Sequence, residues 1–445
     1  MLSVSPARAQ TSEQVHEVVQ FYADEDHFSG NVVVFHEGRV ICNESRGLAN
    51  QVWSIPNAPN TRFAIGSVTK QFTAAAILLL QEQGRLKTSD PIALYYKQAP
   101  TAWKEITIRE LLLHNSGIPE ELFAVGSAGF ERGSHSPEEV VQAAAKRPLA
   151  ATPGTRTAYN NVEYVLLGLI IERVSGEDYA SFLKKHVFEP LNMPDTGVGW
   201  LPRVIPRRAS GYTAVGSDAQ EAEAFTGTAL GGAGEMYSTG ADLARWLIAL
   251  HGGSLLKPES LAEMTTADTD GFGYGLSVST QYGLQDIGHA GDVPGFHVST
   301  EYFPARKTGI IVLTNVASGR GTPGTYAIAN DLMSLVSDSK AIVRSTGREV
   351  PLTSFLQQAY AGRYQDATGE QIEISRLGDH LKLVPRLPGK SPSTLRAESP
   401  NRFYFAEWDG EVQFYRNNGG TLQMIIFAYP NETATVWSKI PDGDK

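Results

Sequence analysis

Two kinds of hydrophobic spacing divide the chain. Up to about residue 337 apolar positions recur mainly three and four apart, and beyond it mainly at every second position. Val15, Val18, Val19 and Tyr22 predict an amphipathic helix over 11–26, opened by Thr11 and Ser12. Asn31–His36 and Arg39–Asn43, around a Glu37-Gly38 turn, predict a β-hairpin. Gly66-Ser67-Val68-Thr69-Lys70 then opens a helical run, Gln71–Gln83, that stops at Gly84 and is apolar on all sides. A helix of that kind is buried in the middle of a domain, so its first residues are held rigidly at a cleft. Thr107–Leu113 predicts another helix, ending at His114-Asn115-Ser116-Gly117-Ile118-Pro119, and a loop-rich stretch runs on to Pro153. Asn160–Ser175, closed by Gly176, and Ser238–Leu250, with its capping serine or threonine, predict two more helices. A second hairpin follows, Gly295–Phe303 and Gly309–Asn315 around Pro304–Lys307, and Tyr326–Val336 predicts a last helix. This order implies an α+β fold, in which the two ends of the region build one antiparallel sheet flanked by helices and its middle is mainly helical.

The period-two region contains Ile372/Ile374, Leu381/Leu383, Phe403/Phe405, Val412/Phe414, Leu422/Met424 and Thr433/Thr435/Trp437, after a short helix over Leu352–Tyr360. Short strands separated by turn residues predict a small all-β barrel or sandwich. The expected organisation is a domain at 11–337, a linker at 338–352 and a barrel at 353–445.

Composition narrows the function. At 445 residues, 42% hydrophobic and 19% charged, the chain has enough apolar material for a sizeable core and more than one domain. A formal net charge of -10 leaves no global positive field, which argues against nucleic acid as the main partner. The one cysteine, Cys42, excludes an internal disulfide, a cysteine zinc site and a redox pair, and reads as a small buried strand residue. The ten histidines show no H-E-x-x-H spacing, so neither metal nor cofactor is implied. The best apolar run, Ala74–Leu80, falls far short of the ~18 residues a transmembrane segment needs. Ala7-Arg8-Ala9 reads as the remnant of an export signal, which places the protein in the periplasm or outside the cell, with the cytoplasm as the alternative.

Three short segments carry chemistry. Ser67 at the first turn of a buried helix sits where the helix dipole favours an alkoxide, and the i+3 spacing brings Lys70 to the same face. An ammonium inside an apolar helix loses hydration, so its neutral form becomes accessible near neutral pH and can take the serine proton. Alone, the pattern also reads as a capping serine with a solvated lysine. Tyr159-Asn160-Asn161, after Pro153-Gly154, can point a phenol and a carboxamide into one cleft; alone it also reads as a core tyrosine with an asparagine cap. His289-Ala290-Gly291 leaves backbone N–H groups open to an oxyanion, though an isolated histidine is commonly a core or surface residue.

Taken together and in this order, Ser67-x-x-Lys70, Tyr159-x-Asn161 and His289-x-Gly291 resemble the three motifs of the serine β-lactamase and penicillin-binding protein superfamily. The likeness is to its class C β-lactamase-like branch of D,D-peptidases, D-aminopeptidases and esterases. His114-Asn115-Ser116-Gly117, Pro153-Gly154 and Ser238-Thr239 before Asp242-Leu243-Ala244-Arg245 extend it over about residues 15 to 337. The period-two region resembles the lipocalin-like barrel appended to some peptidase members. The resemblance implies Ser67 as acylated nucleophile, Lys70 as general base, Tyr159 as proton relay and Asn161 as the residue orienting Lys70 and a substrate amide. It implies His289 lining the cleft beside Gly291, with the N–H groups of Ser67 and Asp292 as an oxyanion hole.

A literal Lys307-Thr308-Gly309, the sequence that lactamases carry on the active-site strand, is set aside: Lys307 lies in the turn after Phe303-Pro304 and reads as solvated. Two departures bear on substrate. His289, mostly neutral at pH 7, stands where lactamases have a permanent cation, and Asp292 follows Gly291 where a small or hydroxyl residue is usual. A carboxylate-bearing guest is disfavoured. The resemblance then implies an acyl-enzyme serine hydrolase of small amides or short peptides, D-amino-acid peptides foremost, with esters next and β-lactams third. A sensor that acylates without turnover is the reading from another class. A homo-oligomer through the barrel is one role open to the C-terminal region.

Overall fold

The structure is a computed structural model, and it describes residues 15–440 apart from 17, 21, 24–27, 121–134, 200–203, 216–217, 224–227, 282–283, 318–324, 326–327, 330–331, 333–350, 367, 386–391, 400–401, 406–409, 417–421 and 429–432. The chain divides into two compact units, the larger built on residues up to Ala317 with Ile328–Ala341, the smaller on Ser318–Ala327 and Ile342–Lys445.

The larger unit is organised on a seven-stranded antiparallel sheet: β1 (Gly30–His36), β2 (Arg39–Arg46), β3 (Phe272–Gly273), β4 (Leu276–Gln281), β5 (Leu284–Val293), β6 (Phe296–Phe303) and β7 (Thr308–Thr314). Their order is β3-β4-β5-β6-β7-β1-β2, so the first hairpin is completed by the last strand. Valine and isoleucine alternate faces along β1 and β7. One face (Val32, Val34, Phe303, Ile310, Val312) packs on Val15, Val19 and Tyr22 near the N-terminus and on Ile328, Ala329 and Leu332. The other (Val33, Phe35, Val298, Ile311, Leu313) joins the main core.

That main core surrounds α1 (Thr69–Glu82), whose residues from Thr69 to Leu78 are all buried. Around it lie α2 (Ile108–Leu112), α3 (Pro137–Ala145), α4 (Asn161–Ser175) and α5 (Gly240–His251). α5 packs on β1 and β7, and its Trp246 stacks on Phe72 of α1 at 3.9 Å between ring centroids. No helix is long and apolar enough to cross a membrane among the described residues.

The smaller unit holds an eight-stranded antiparallel barrel that closes through the pairs Tyr364↔Lys439 and Gln365↔Ser438. Its interior is the period-two set, Ile372, Ile374, Leu381, Leu383, Phe403, Phe405, Val412, Phe414, Met424 and Trp437.

The α+β fold and the barrel are those the sequence predicts, with three differences in detail. The stretch running to Pro153 contains α3, capped reciprocally by Ser136 and Glu139, a capping-box spacing that the sequence displays. The sheet gains β3 and β4 at one edge, the first only two residues long and the second alternating apolar and polar only over Leu276–Ser279. The barrel gains Gly362–Gln365 and Ser393–Ser399. Cys42 is buried in β2, and desolvation with the nearby Glu44 carboxylate pushes its thiol up to about 12, which makes it unreactive. The helix over Tyr326–Val336 is seen at 328, 329 and 332 and otherwise lies outside the described residues, as do Ala7-Arg8-Ala9 and nearly all of the 338–352 linker.

Candidate active site

A 3₁₀ turn, Gly66–Val68, feeds directly into α1 and sets Ser67 at its head. Gly66 has φ +48°, a left-handed backbone that glycine adopts without strain. One turn on, Lys70 is fully buried, a position that would be costly without partners. It has three. Nζ donates to Asn161 Oδ1 at 2.7 Å, to the Ala233 carbonyl at 2.9 Å and to Ser67 Oγ at 3.1 Å. Loss of hydration pulls the amine from its ordinary value down to about 7, against the opposing pull of Glu120 and Glu163. Once neutral, the amine keeps two N–H groups on the two carbonyls and aims its lone pair at the serine hydroxyl.

Tyr159 reaches the same oxygen, its hydroxyl donating to Ser67 Oγ at 2.7 Å. It is placed by α4: Asn160 caps the helix by accepting from the Val162 N–H at 2.8 Å, and Asn161 is the first helical residue. Tyr159 is 39% exposed as a residue, although its hydroxyl is desolvated. Its ring centroid lies 4.8 Å from Lys70 Nζ and 6.1 Å from the His289 ring. Desolvation around the hydroxyl raises the phenol above its ordinary range.

β5 brings His289, Gly291 and Asp292. A Cβ on Gly291 would stand 2.0 Å from the Ile65 carbonyl oxygen and 3.1 Å from Ser67 N, and one on Gly66 3.0 Å from Asp292 N. The strand and the turn therefore touch backbone to backbone, with the Ser67 and Asp292 nitrogens at the seam. His289 donates its Nδ1–H to the Ala290 carbonyl, 2.5 Å away, which leaves Nε2 as a bare acceptor. Loss of hydration, then the nearby Lys70 charge, pushes this imidazole down to about 4.

Asp292 differs from its sequence reading. Its side chain is on the other face of β5 from His289, where its carboxylate accepts from His297 Nδ1, and it is 67% exposed. Lys307 is exposed at the far end of the β6–β7 hairpin, beyond the Phe303↔Thr308 pair.

The sequence reading omits several residues that hold the site. Glu120 accepts the Asn161 backbone N–H at 2.5 Å. Gln71 Nε2 donates to Thr300 Oγ1 at 2.9 Å, Thr300 Oγ1 donates to the His289 carbonyl at 3.0 Å, and Trp246 Nε1 donates to Gln71 Oε1 at 2.8 Å. A glutamine inside an all-apolar helix is a signal that could have found this chain. The Ala233 carbonyl leaves no trace in sequence.

Residues 16–333 match the Beta-lactamase family. The chain belongs to that family. Within it, the chain is 28% identical over 445 residues to penicillin-binding protein 4* of Bacillus subtilis (strain 168), covering 93% of this chain and 95% of that protein. The octameric penicillin-binding protein homologue from Pyrococcus abyssi shares the fold with a TM-score of 0.65 at 24% identity, over 96% of this chain and 99% of that one. The D-amino acid amidase from Ochrobactrum anthropi SV3, complexed with D-phenylalanine, does so with a TM-score of 0.65 at 23% identity, over 73% of this chain and 99% of that one.

Proposed function

We propose that this member of the Beta-lactamase family is a serine hydrolase that cleaves small amides and short peptides through an acyl-enzyme on Ser67, with D-amino-acid amides and peptides the favoured substrates. One observation carries the reading: Ser67 Oγ lies between Lys70 Nζ at 3.1 Å and the Tyr159 hydroxyl at 2.7 Å, at the head of a buried helix. Neutral Lys70 takes the Oγ proton as Oγ attacks the carbonyl carbon. The oxyanion forms against the Ser67 and Asp292 N–H groups. As the carbon–nitrogen bond breaks, Tyr159 gives its proton to the leaving amine and is resupplied from the Lys70 ammonium. Water enters by the reverse route and releases the acid.

Charge selects the substrate. Beyond Lys70 itself, Glu120 is a carboxylate whose charge acts on both Lys70 and Tyr159. It favours a guest carrying an ammonium and opposes a carboxylate next to the scissile bond. That an enzyme of the same fold is a D-amino acid amidase supports the D-amino-acid choice.

Ser67→Ala is expected to abolish the mass shift from a fluorophosphonate or penicillin probe, and a retained shift refutes the assignment. Turnover of a D-alanyl anilide faster than its L-isomer, a p-nitrophenyl ester and nitrocefin is the expected ranking. Preference for the ester or nitrocefin replaces the substrate class, and one equivalent of product without a steady state identifies a sensor. Export and self-assembly, with the barrel as the contact, belong to the same proposal; self-assembly is supported by the octameric Pyrococcus abyssi homologue. Fractionation and sedimentation test them.

A further inference from the structure

Behind Tyr159 lies a buried pair that the steps above do not use. His114 and Glu163 are 2% and 1% exposed, and Glu163 Oε2 is 2.7 Å from His114 Nδ1. The same nitrogen also receives the Asn160 backbone N–H at 3.2 Å. A ring nitrogen that carries a hydrogen has no lone pair for that N–H, so Nδ1 is the bare one, its single lone pair shared between the Asn160 N–H at 3.2 Å and the shorter contact to Glu163. The hydrogen between Nδ1 and Oε2 then belongs to the carboxyl. The other carboxyl oxygen behaves as a carbonyl: Oε1 accepts from Ser116 Oγ at 2.5 Å and from Ser116 N at 3.3 Å.

We propose that Glu163 is a protonated carboxylic acid donating to His114 Nδ1, and that this neutral pair positions Tyr159 and Asn161 without placing a negative charge behind Lys70. The bonds around the pair bear on both residues. The Ala158 N–H donates to the His114 carbonyl at 2.8 Å, and Asn160 Nδ2 to the Ile118 carbonyl at 2.6 Å. The segment that carries Tyr159 and Asn161 is thus clamped to 114–118 at Ala158 and at Asn160. The His114 ring lies 4.6 Å from that of Tyr159 and 5.0 Å from that of Tyr164. His114 itself has φ +57°, a left-handed conformation that a non-glycine residue keeps only where its surroundings impose it.

The titratable neighbours are Lys70 on α1, His289 on β5, Glu120 in the loop after α2, and Tyr159 and Tyr164. Burial first, then the Lys70 and His289 charges, drives the His114 imidazole well below its ordinary range. Burial, assisted by Glu120 and opposed by the Ser116 hydrogen bonds and Lys70, drives Glu163 well above the carboxylate range. An ionised Glu163 would hold Lys70 as ammonium to higher pH.

The consequence for rate rests on Ser67 acylation as proposed; the protonation state does not. Glu163→Gln is the test, because its amide offers an N–H to Nδ1 and a carbonyl to Ser116. The variant is expected to fold, to acylate with the probe at close to the wild-type rate, and to keep the same acid limb in its labelling-rate profile. Nitrogen-15 NMR is expected to show His114 as the neutral Nε2–H tautomer in both proteins from about pH 5 to about pH 8. An imidazolium at His114 near neutrality, an acid limb moved down by about one unit or more in Glu163→Gln, or a variant that fails to fold overturns the proposal. The NMR result needs no turnover, so an unlabelled wild-type protein would refute the hydrolase reading and leave this one to be judged by itself.

Discussion

Asn161 Oδ1 accepts a hydrogen bond from Lys70 Nζ at 2.7 Å, and this contact, with the Ala233 carbonyl, fixes the direction in which the amine faces Ser67. Because Asn161 is neutral, it does not hold the amine as an ammonium. With the ammonium losing its proton around pH 7, labelling of Ser67 is expected to be slow in acid, to rise through about 7 and to level off above it. Asn161→Asp places a carboxylate on the ammonium and is expected to move that rise upward by ~1–3 units. Probe-labelling rates across pH measure both, and an unmoved limb in Asn161→Asp contradicts the assignment of the titration to Lys70.

The same burial costs stability. Lys70 titrates at about 7 in the folded protein against 10.5 for the ordinary side chain, so between those values the unfolded chain binds more protons and stability rises with pH. Below about 7 the cost is present in full. Lys70→Met removes the charge and keeps the length, and it is expected to raise stability at pH 6 on the order of 2–4 kcal/mol while abolishing labelling. Denaturant unfolding at pH 6 measures the gain.

Gly291→Ala puts a methyl group 2.0 Å from the Ile65 carbonyl, which forces β5 away from the Ser67 turn. If the Ser67 and Asp292 N–H groups serve the oxyanion, kcat should fall ~10²–10³-fold with a smaller change in KM. A fall confined to KM would assign the seam to substrate binding instead.

Thr300 links α1 to β5 by joining Gln71 to the His289 carbonyl, and it is fully buried. Thr300→Val keeps the shape and deletes both bonds, leaving the Gln71 amide unsatisfied. The expected loss is ~1–3 kcal/mol of stability, with a lowered acylation rate. A double mutant with Gln71→Leu, which removes the stranded amide as well, should recover part of the stability.

In the barrel, Phe414 is 1% exposed, stacks on Tyr360 at 4.1 Å and meets Phe403 edge-on at 5.4 Å. Phe414→Ala should cost ~3–5 kcal/mol in this unit, read by calorimetry.

The helices and barrel strands were legible because their apolar positions keep a period for many residues. α1 and α4, both apolar for most of their length, mark themselves in this way. The sheet edge at β3 and β4 is short and flanked by Gly273 and Gly275, and its alternation runs only over Leu276–Ser279, too few residues to stand out. At the site, Ser67, Lys70, Tyr159 and His289 have distinctive side chains at distinctive spacings. Glu163 hides among apolar residues as if on a solvated helix face, and its buried partner lies 49 residues earlier in the chain. The orientation of Asp292 was misread because a sequence shows that a carboxylate follows Gly291 but not which side of the strand it takes.

The pairing of β1 with β7 also sets a timetable for synthesis. Thr314 Oγ1 donates to the Ser29 carbonyl across 285 residues of chain. During translation the β1–β2 hairpin therefore emerges with an open apolar edge, Val32-Val33-Val34-Phe35, that stays unpaired until β7 has been made. For most of that interval the Ser67 helix exists without its Gly291 strand. A nascent chain thus carries the nucleophile long before it has a pocket for it, and a truncated product ending before β5 should be chemically silent as well as sticky.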